Sequence, residues 1–263
     1  MIAVLAVFVG VLGLAVGSFL NVVVYRVPLG RSVIRPASAC PQCGAAIRRR
    51  DNVPVLSWLL LRGRCRDCAA PISGRYPLVE GVTASLFVAI VLRFMVVQDA
   101  AWAIPAYLYL AAIGVALALI DLDVHRLPDA IVLPSYPAAA ALLALASWGA
   151  GDWQALLRAA EGGAALWVVY LGMSLVKQGA MGFGDVKLAG ILGAYLGWLG
   201  WGDLAVGAFA AFFVGGLVSV GLLLAKKAGR RTAIPFGPWM LTGAAIGIAV
   251  GGPVWAAYLG TMT

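Results

Sequence analysis

The sequence predicts an all-α protein that crosses a membrane about eight times and carries one small polar loop. Of its 263 residues, 63% are hydrophobic and 11% are charged, whereas soluble domains average about 25% charged residues. The mean hydropathy is +0.97, and the chain is long enough for about eight spans of roughly 20 residues. A soluble globular domain is therefore excluded. In a membrane protein the net charge of +8 reports orientation first, so no nucleic-acid partner is expected.

Eight apolar stretches are expected to span the membrane. The first, Ile2 to Tyr25, contains no charged residue, and the absence of a basic segment before it favours a retained span over a cleaved signal peptide. The other seven are expected at Pro77 to Val97, Trp102 to Ile120, Ala130 to Trp148, Leu156 to Val176, Val186 to Leu199, Leu204 to Ala225 and Phe236 to Leu259.

The distribution of basic residues predicts the orientation. Ten of the nineteen Lys and Arg residues lie between Arg26 and Tyr76, so this loop should face the cytoplasm. The segments Asp121–Asp129, Lys177–Lys187 and Lys226–Arg231 then also face the cytoplasm, and the loops around Asp99, Asp152 and Asp203 lie outside. The sequence thus divides into a first helix (1–25), a cytoplasmic cysteine loop (26–76) and a seven-helix membrane domain (77–263).

Two carboxylates, Asp121 and Asp185, are expected at the cytoplasmic membrane face. Ionisable groups near membrane spans usually mark function, because they are costly in hydrocarbon. Two carboxyl groups held close cannot both ionise cheaply, so one keeps a proton and the other does not. Such a pair supplies the acid and the base of an aspartic protease. The alternative is that Asp185 only caps its helix.

Glycines flank the second carboxylate in the stretch Met181-Gly182-Phe183-Gly184-Asp185-Val186-Lys187-Leu188. Glycine allows a tight turn and a close approach of another backbone. We therefore expect Gly182 and Gly184 to leave space for an extended peptide beside Asp185.

All four cysteines lie in the polar loop, as two Cys-x-x-Cys pairs formed by Cys40, Cys43, Cys65 and Cys68. Two such pairs in a reducing compartment favour a tetrahedral zinc site over disulfides, and zinc would fold a loop too small to bury its own core. A redox dithiol and uncommitted thiols are the alternatives. Gly44 after Cys43 fits a metal-binding turn, whereas Ala69 after Cys68 departs from that pattern.

An ordered set of motifs closely resembles the bacterial type IV prepilin peptidases, membrane aspartyl proteases with a Gly-x-Gly-Asp signature. The set covers nearly the whole chain. It comprises Gly17-Ser18-Phe19-Leu20-Asn21-Val22-Val23-Val24-Tyr25-Arg26, the cysteine loop, Arg75-Tyr76-Pro77-Leu78-Val79-Glu80, Ile120-Asp121-Leu122-Asp123-Val124-His125-Arg126-Leu127-Pro128-Asp129, Gly182-Phe183-Gly184-Asp185 and Ile234-Pro235-Phe236-Gly237-Pro238.

The resemblance implies Asp121 and Asp185 as the catalytic pair of an inner-membrane endopeptidase. Its substrates would be prepilins or pseudopilins with a basic leader, used in pili or type II secretion and cleaved after a glycine at the cytoplasmic face. Family members with the cysteine loop also methylate the new N-terminus with S-adenosylmethionine. No nucleotide-binding motif is visible in this sequence, so the methyl donor rests on the resemblance alone.

Four neighbouring residues invite other roles. Asp123 is the rival for the first catalytic position, although on a helix it should point away from the Asp121 face. Asp129 is expected to act as a helix N-cap, and a lone histidine, His125, as a solvated loop residue. Lys187 either tunes the site or anchors its helix at the membrane interface.

The run Arg48-Arg49-Arg50 in the cysteine loop has two interpretations. It either contacts anionic lipid headgroups of the membrane or serves only as a topological anchor.

Two rival functions belong to other classes. A transporter or channel would use the carboxylates for coupling or ion coordination, and predicts them near the bilayer midplane in an inverted repeat. A non-catalytic assembly scaffold would dock a partner through the cysteine loop and tolerate loss of either aspartate.

Overall fold

The computed structural model describes residues 2–98, 100–176, 181–226 and 234–262, and these form nine α-helices without a β-sheet. The helices are α1 (Ile2–Arg26), α2 (Leu56–Leu60), α3 (Arg75–Leu92), α4 (Ile104–Val124), α5 (Asp129–Ala150), α6 (Trp153–Val176), α7 (Phe183–Leu199), α8 (Trp201–Leu224) and α9 (Gly237–Gly260). The β-type hydrogen bonding in the described residues consists of two isolated β-bridges, both in the cysteine loop. The predicted all-α class is confirmed.

Seven of the described helices are long and apolar enough to cross a membrane, which confirms a multi-pass membrane protein. They are α1, α3, α4, α5, α6, α8 and α9. The remaining predicted span, Val186 to Leu199, lies in α7. This helix has 17 residues and is therefore about 26 Å long, slightly shorter than the apolar core of a bilayer is thick. Parts of three predicted loops, at Asp99, 177–180 and 227–233, lie outside the described residues.

Two helix boundaries differ from the sequence prediction in a way that affects the carboxylates. Helix α4 continues to Val124, beyond the predicted end at Ile120, so Asp121 lies within a helix rather than after one. Helix α7 begins at Phe183, and Asp185 lies in its first turn. Both differences arise because the apolar criterion stops at a charged residue, whereas backbone hydrogen bonding continues through it.

The chain divides into two compact units, Met1–Ala116 and Leu117–Thr263. In the first unit α1 packs antiparallel to α3, and a Cβ atom at Gly17 would lie 2.7 Å from the Cα atom of Glu80. In the second unit α7 packs against α5, α6, α8 and α9, and twelve of its residues are buried. Helix α7 is therefore the core helix of the second unit. The sequence-based division at residues 25 and 76 stays a prediction.

The contact between α6 and α7 depends on glycine. A Cβ atom at Gly193 of α7 would collide with the carbonyl oxygen of Gly162 in α6. Helices in lipid gain little from apolar burial against each other, so close backbone packing at small residues is a main source of their association. The position of α7 therefore depends on the absence of a side chain at Gly193. The position of Asp185 depends on it too.

We predict that Gly193→Ala destabilises the protein by about 1–3 kcal/mol, because the obstructing atom belongs to backbone and cannot rotate away. The measurement is the thermal unfolding midpoint of the purified protein in detergent. Gly172→Ala is the matched control, since a Cβ atom there meets no atom of the described residues within 4 Å. An equal loss in both variants would contradict the packing argument.

Candidate active site

The first predicted carboxylate, Asp121, is almost completely buried, with 4% of its surface exposed. The backbone N–H of Gly237, the first residue of α9, donates a hydrogen bond of 3.0 Å to Asp121 Oδ2. The first N–H groups of a helix lack partners within the helix and carry partial positive charge, so they suit a carboxylate. A Cβ atom at Gly237 would lie 2.8 Å from the same oxygen. Glycine at 237 therefore permits this contact.

The second predicted carboxylate, Asp185, is 9% exposed and occupies the third position of α7. Its Oδ2 atom accepts a hydrogen bond of 3.3 Å from the backbone N–H of Gly182, which is one half of a capping box. The capping role that the sequence left open is therefore present in the geometry. It does not exclude a chemical role, because a cap also fixes the orientation of the carboxyl group.

The second unit brings Asp121 and Asp185 together. The two carboxyl groups lie within range of a direct electrostatic interaction, and both belong to the unit that begins at Leu117. The side chain of Leu127 lies close to both helix starts: a Cβ atom would be 3.0 Å from Leu127 Cβ at Gly184 and 3.4 Å from Leu127 Cδ2 at Gly237. The site thus consists of two buried carboxyl groups, Asp185 in the first turn of α7 and Asp121 against the start of α9, with the side chain of Leu127 near both helix starts.

Leu127 limits one sequence-based hypothesis. Gly184 was expected to leave space for a substrate backbone, but its free side faces Leu127. Among the described residues, the atoms nearest to a Cβ atom at Gly182 belong to its own turn, Asp185 Oδ2 at 3.6 Å and Gly184 N at 4.0 Å. At Gly184 an extended peptide would first have to displace the leucine, and space for a peptide at Gly182 stays a prediction.

An aromatic group that the sequence analysis missed lies beside Asp185. Tyr170 of α6 is buried and within electrostatic range of the Asp185 carboxylate. Its ring centroid lies 5.6 Å from that of Phe212 and 6.3 Å from that of Phe236. The sequence around a tyrosine in an apolar span does not indicate that it lies beside a carboxyl group. Only the packing of α6 against α7 brings Tyr170 to the site.

The rival residues near Asp121 lie in different surroundings. Asp123 is exposed, although it is only two positions from the buried Asp121. The backbone N–H of His125 donates to the carbonyl oxygen of Asp121 at 2.9 Å, and His125 has a φ of 54°, which ends the helix. In the described residues the one grouping compatible with a metal contains cysteines only, so His125 is not part of it.

Asp129 is not the N-cap that the sequence predicted. The cap position of α5 is Pro128, and Asp129 is the first helical residue. Its Oδ1 atom forms an ion pair of 2.7 Å with Nζ of Lys187, and that nitrogen also lies 5.1 Å from the centre of the Phe183 ring. The correction has a physical reason, since Pro128 takes the extended conformation of a cap residue (φ −70°, ψ 129°).

A second contact fastens the same two helices. The hydroxyl group of Tyr136, two turns along α5 from Asp129, donates a hydrogen bond of 2.6 Å to the carbonyl oxygen of Lys187. Side chain and backbone of Lys187 are thus both held by α5. Because Asp185 lies two residues before Lys187, these contacts fix the first turn of α7 where the carboxylate projects from it.

The cysteine loop forms a compact cluster of four thiols. The sulfur atoms of Cys40, Cys43, Cys65 and Cys68 all lie within 4.8 Å of one another, and Cys40 Sγ and Cys68 Sγ are 3.8 Å apart. With Zn–S bonds of about 2.3 Å, a tetrahedral site has sulfur–sulfur edges of about 3.8 Å. The four cysteines therefore fit a tetrahedral metal such as zinc.

The two cysteine pairs have the same backbone turn. In the first, the N–H of Cys40 bonds to Ala45 and the N–H of Gly44 bonds back to Cys40. In the second, Cys65 bonds to Ala70 and Ala69 bonds back to Cys65. Gly44 has a φ of 71° and Ala69 a φ of 59°. Ala69 thus differs from Gly44 in residue type but not in backbone conformation, since the alanine adopts the left-handed conformation of the matching glycine.

Two ion pairs join the halves of the cluster. Arg66 forms two hydrogen bonds, of 2.8 and 2.6 Å, with the carboxylate of Asp51, and Arg48 lies 2.8 Å from Asp67. The Arg66 hydrogen bonds hold the pKa of Asp51 below its usual value. Hydrogen bonds from the backbone of Cys43 and Gln42 lower the pKa of the Cys40 thiol to about 7.

Two family models match the chain. Residues 11–94 match the model of the bacterial peptidase A24 N-terminal domain, and residues 108–220 match the type IV leader peptidase family. No solved structure matches the chain.

Three relatives carry the name prepilin leader peptidase/N-methyltransferase. The chain is 37% identical over 273 residues to the protein of Aeromonas hydrophila, with 94% of this chain and 91% of that protein covered. It is 40% identical over 274 residues to that of Pseudomonas putida, with the same coverage. The Myxococcus xanthus relative is 44% identical over 229 residues, which are 86% of this chain and 66% of that protein.

We predict opposite effects of two substitutions at matched positions of the cysteine loop. A left-handed conformation costs a residue with a side chain about 1–2 kcal/mol, so Ala69→Gly should tighten zinc binding and Gly44→Ala should weaken it. The measurement is competition of each purified variant with a zinc chelator. Equal affinities for both variants would mean that the two turns do not limit assembly of the site.

Proposed function

The chain belongs to the prepilin leader peptidase/N-methyltransferase family, and from this premise we propose that it is a membrane aspartyl endopeptidase with Asp121 and Asp185 as its catalytic pair. The observation that supports this proposal is the pairing of two buried carboxyl groups at helix starts within one unit. Its substrates are type IV prepilins or pseudopilins, whose basic leader is removed before the apolar helix of the mature protein.

The proposed reaction needs one ionised and one protonated carboxyl group, which titrate as a pair. The ionised group takes a proton from a water molecule while the oxygen of that water attacks the scissile carbonyl carbon. The protonated group donates a hydrogen bond to the developing oxyanion. The amine nitrogen then takes up the proton that the first carboxyl group accepted from water, and the carbon–nitrogen bond breaks. Gly237 and Gly182 orient the two carboxyl groups through their N–H groups.

We place the site at the cytoplasmic face of the inner membrane. The orientation rests on the positive charge of the loop between α1 and α3, which carries ten of the nineteen basic residues. A substrate helix can then reach the carboxyl groups laterally from the bilayer, while its basic leader stays in the cytoplasm.

We further propose that the four cysteines hold one structural zinc ion and that the chain methylates the new N-terminus of the pilin. Zinc would cross-link the two turns of the loop and so supply folding energy to a segment with little apolar core. The relatives' names include N-methyltransferase, and S-adenosylmethionine is the methyl donor proposed for this chain.

We expect Asp121→Asn and Asp185→Asn each to abolish cleavage, while Asp123→Asn retains it. Asparagine keeps the shape of the side chain and removes the titrating proton. The assay uses membranes that contain each variant at equal level together with a prepilin, and mass spectrometry of the pilin reports both the lost leader and the added methyl group.

Other outcomes of this assay contradict parts of the proposal. If Asp123 is required and Asp121 is not, the protease function stands and the catalytic pair is wrong. If cleavage requires neither Asp121 nor Asp185, the proposed catalytic pair is wrong. If the wild-type protein cuts none of several prepilins, the endopeptidase proposal fails, and the transporter and scaffold alternatives must be tested.

We predict that Lys187→Met lowers the turnover number for cleavage by about ten- to a hundredfold, because small displacements of a catalytic group have effects of this size. Exchange of the two charges, Asp129→Lys with Lys187→Asp, should recover part of the loss if the ion pair positions α7. Arg126→Met is the control, since Arg126 is an exposed cation in the loop between α4 and α5. If the exchanged pair is no better than Lys187→Met, the positive charge itself is what matters.

A further inference from the structure

Helix α2 presents an apolar face that the protein does not cover. Leu56, Leu59 and Leu60 are 52%, 57% and 73% exposed, and their spacing of three and four residues places them on one side of the helix. The other side is fastened to the loop: Ser57 Oγ donates to the carbonyl oxygen of Arg50 at 3.2 Å, and Trp58 Nε1 donates to that of Ile72 at 3.1 Å. Helix α2 is therefore held in one orientation with its leucines outward.

A buried acid in a membrane span holds the start of this helix. The backbone N–H of Val55 donates a hydrogen bond of 2.6 Å to Oε2 of Glu80, and Glu80 is 7% exposed. Val55 has a φ of 59°, a conformation that β-branched residues rarely adopt. An ionisable residue inside a span is costly and usually has a specific role. Here that acid binds backbone of the cysteine loop.

The position of Glu80 gives the depth of α2. Glu80 lies five residues after Arg75, where the spanning segment begins, so it is about 7.5 Å along the helix. On the neighbouring helix α1 it lies opposite Gly17, nine residues before Arg26 and thus about 13 Å from that end. The start of α2 therefore lies within the reach of one glutamate side chain from this level, at the end of the spans formed by α1 and α3.

Basic residues flank the apolar face. Arg49 and Arg50 precede α2, Arg62 and Arg64 follow it, and all four are exposed. A short apolar face between exposed arginines is the pattern of a segment that lies in a membrane interface, with apolar side chains below the headgroups and cations among anionic lipids. The exposed leucines of α2, the flanking arginines and the position of Glu80 thus all indicate that the lipid leaflet covers the apolar face of α2.

We infer that α2 is an interfacial helix whose leucines enter the headgroup and acyl boundary of the bilayer, and that Glu80 is the residue that docks it there. The inference rests on membrane insertion of α1 and α3 and is independent of the proposed catalytic pair. It assigns the cysteine loop a fixed attachment to the membrane surface.

The test is photolabelling of the full-length protein in vesicles that contain an anionic phospholipid and a lipid with a photoreactive group on its acyl chain. Trypsin cuts after Arg50 and Arg62, so one peptide, 51–62, carries the whole of α2. The peptide 76–93, from α3, is the positive reference, and the peptide 32–48, with the first cysteine pair, is the reference for the rest of the loop. We expect label on 51–62 and on 76–93, and severalfold less on 32–48.

Two variants test the role of Glu80. Glu80→Leu removes the acceptor and should lower labelling of 51–62 severalfold while 76–93 remains labelled, which shows that the span is intact. Glu80→Gln keeps an acceptor oxygen for Val55 N–H and should retain the label. A wild-type protein with label on 76–93 but none on 51–62 overturns the inference, as does equal labelling of 32–48 and 51–62. Cross-linking of 51–62 to another protein chain instead of lipid would identify a protein partner and equally overturn it.

Discussion

The hydrogen bond from Gly237 N–H to Asp121 is the interaction on which the arrangement of the two carboxyl groups depends. A buried carboxyl group in apolar surroundings is costly unless hydrogen-bond donors compensate for lost water. Helix starts supply such donors without any side chain. Asp121 uses the start of α9, and Asp185 uses the start of its own helix through Gly182. Gly237 and Gly182 therefore serve the carboxyl groups through their backbone N–H groups.

Precise placement of these helix starts depends on α7, which is enclosed on several sides in the second unit. It can be so enclosed because glycine replaces side chains where it contacts α6, as at Gly162 and Gly193. Its first turn is fixed by α5, through the Asp129–Lys187 ion pair and the Tyr136 hydrogen bond. An exposed ion pair contributes little stability. Its role here is better understood as orientation of the turn that carries Asp185.

The cysteine loop in the first unit is ordered by three kinds of constraint. The four thiols form a cluster of tetrahedral dimensions, two ion pairs connect the cysteine turns, and Glu80 binds the backbone at Val55. A loop with so little buried apolar surface requires such cross-links to hold one conformation. Among them the Glu80 hydrogen bond joins the loop directly to a membrane span.

The sequence by itself determined the membrane class, most of the helices, the grouping of the cysteines and the family, because hydropathy, cysteine spacing and ordered motifs are local properties of the chain. It also singled out Asp121 and Asp185. Only the tertiary structure decided that Gly237 N–H binds Asp121, that Tyr170 lies beside Asp185, that Asp129 pairs with Lys187 instead of capping a helix, and that Glu80 holds Val55. Each of these contacts joins residues far apart in sequence, and their meeting is set by helix packing that no local pattern records.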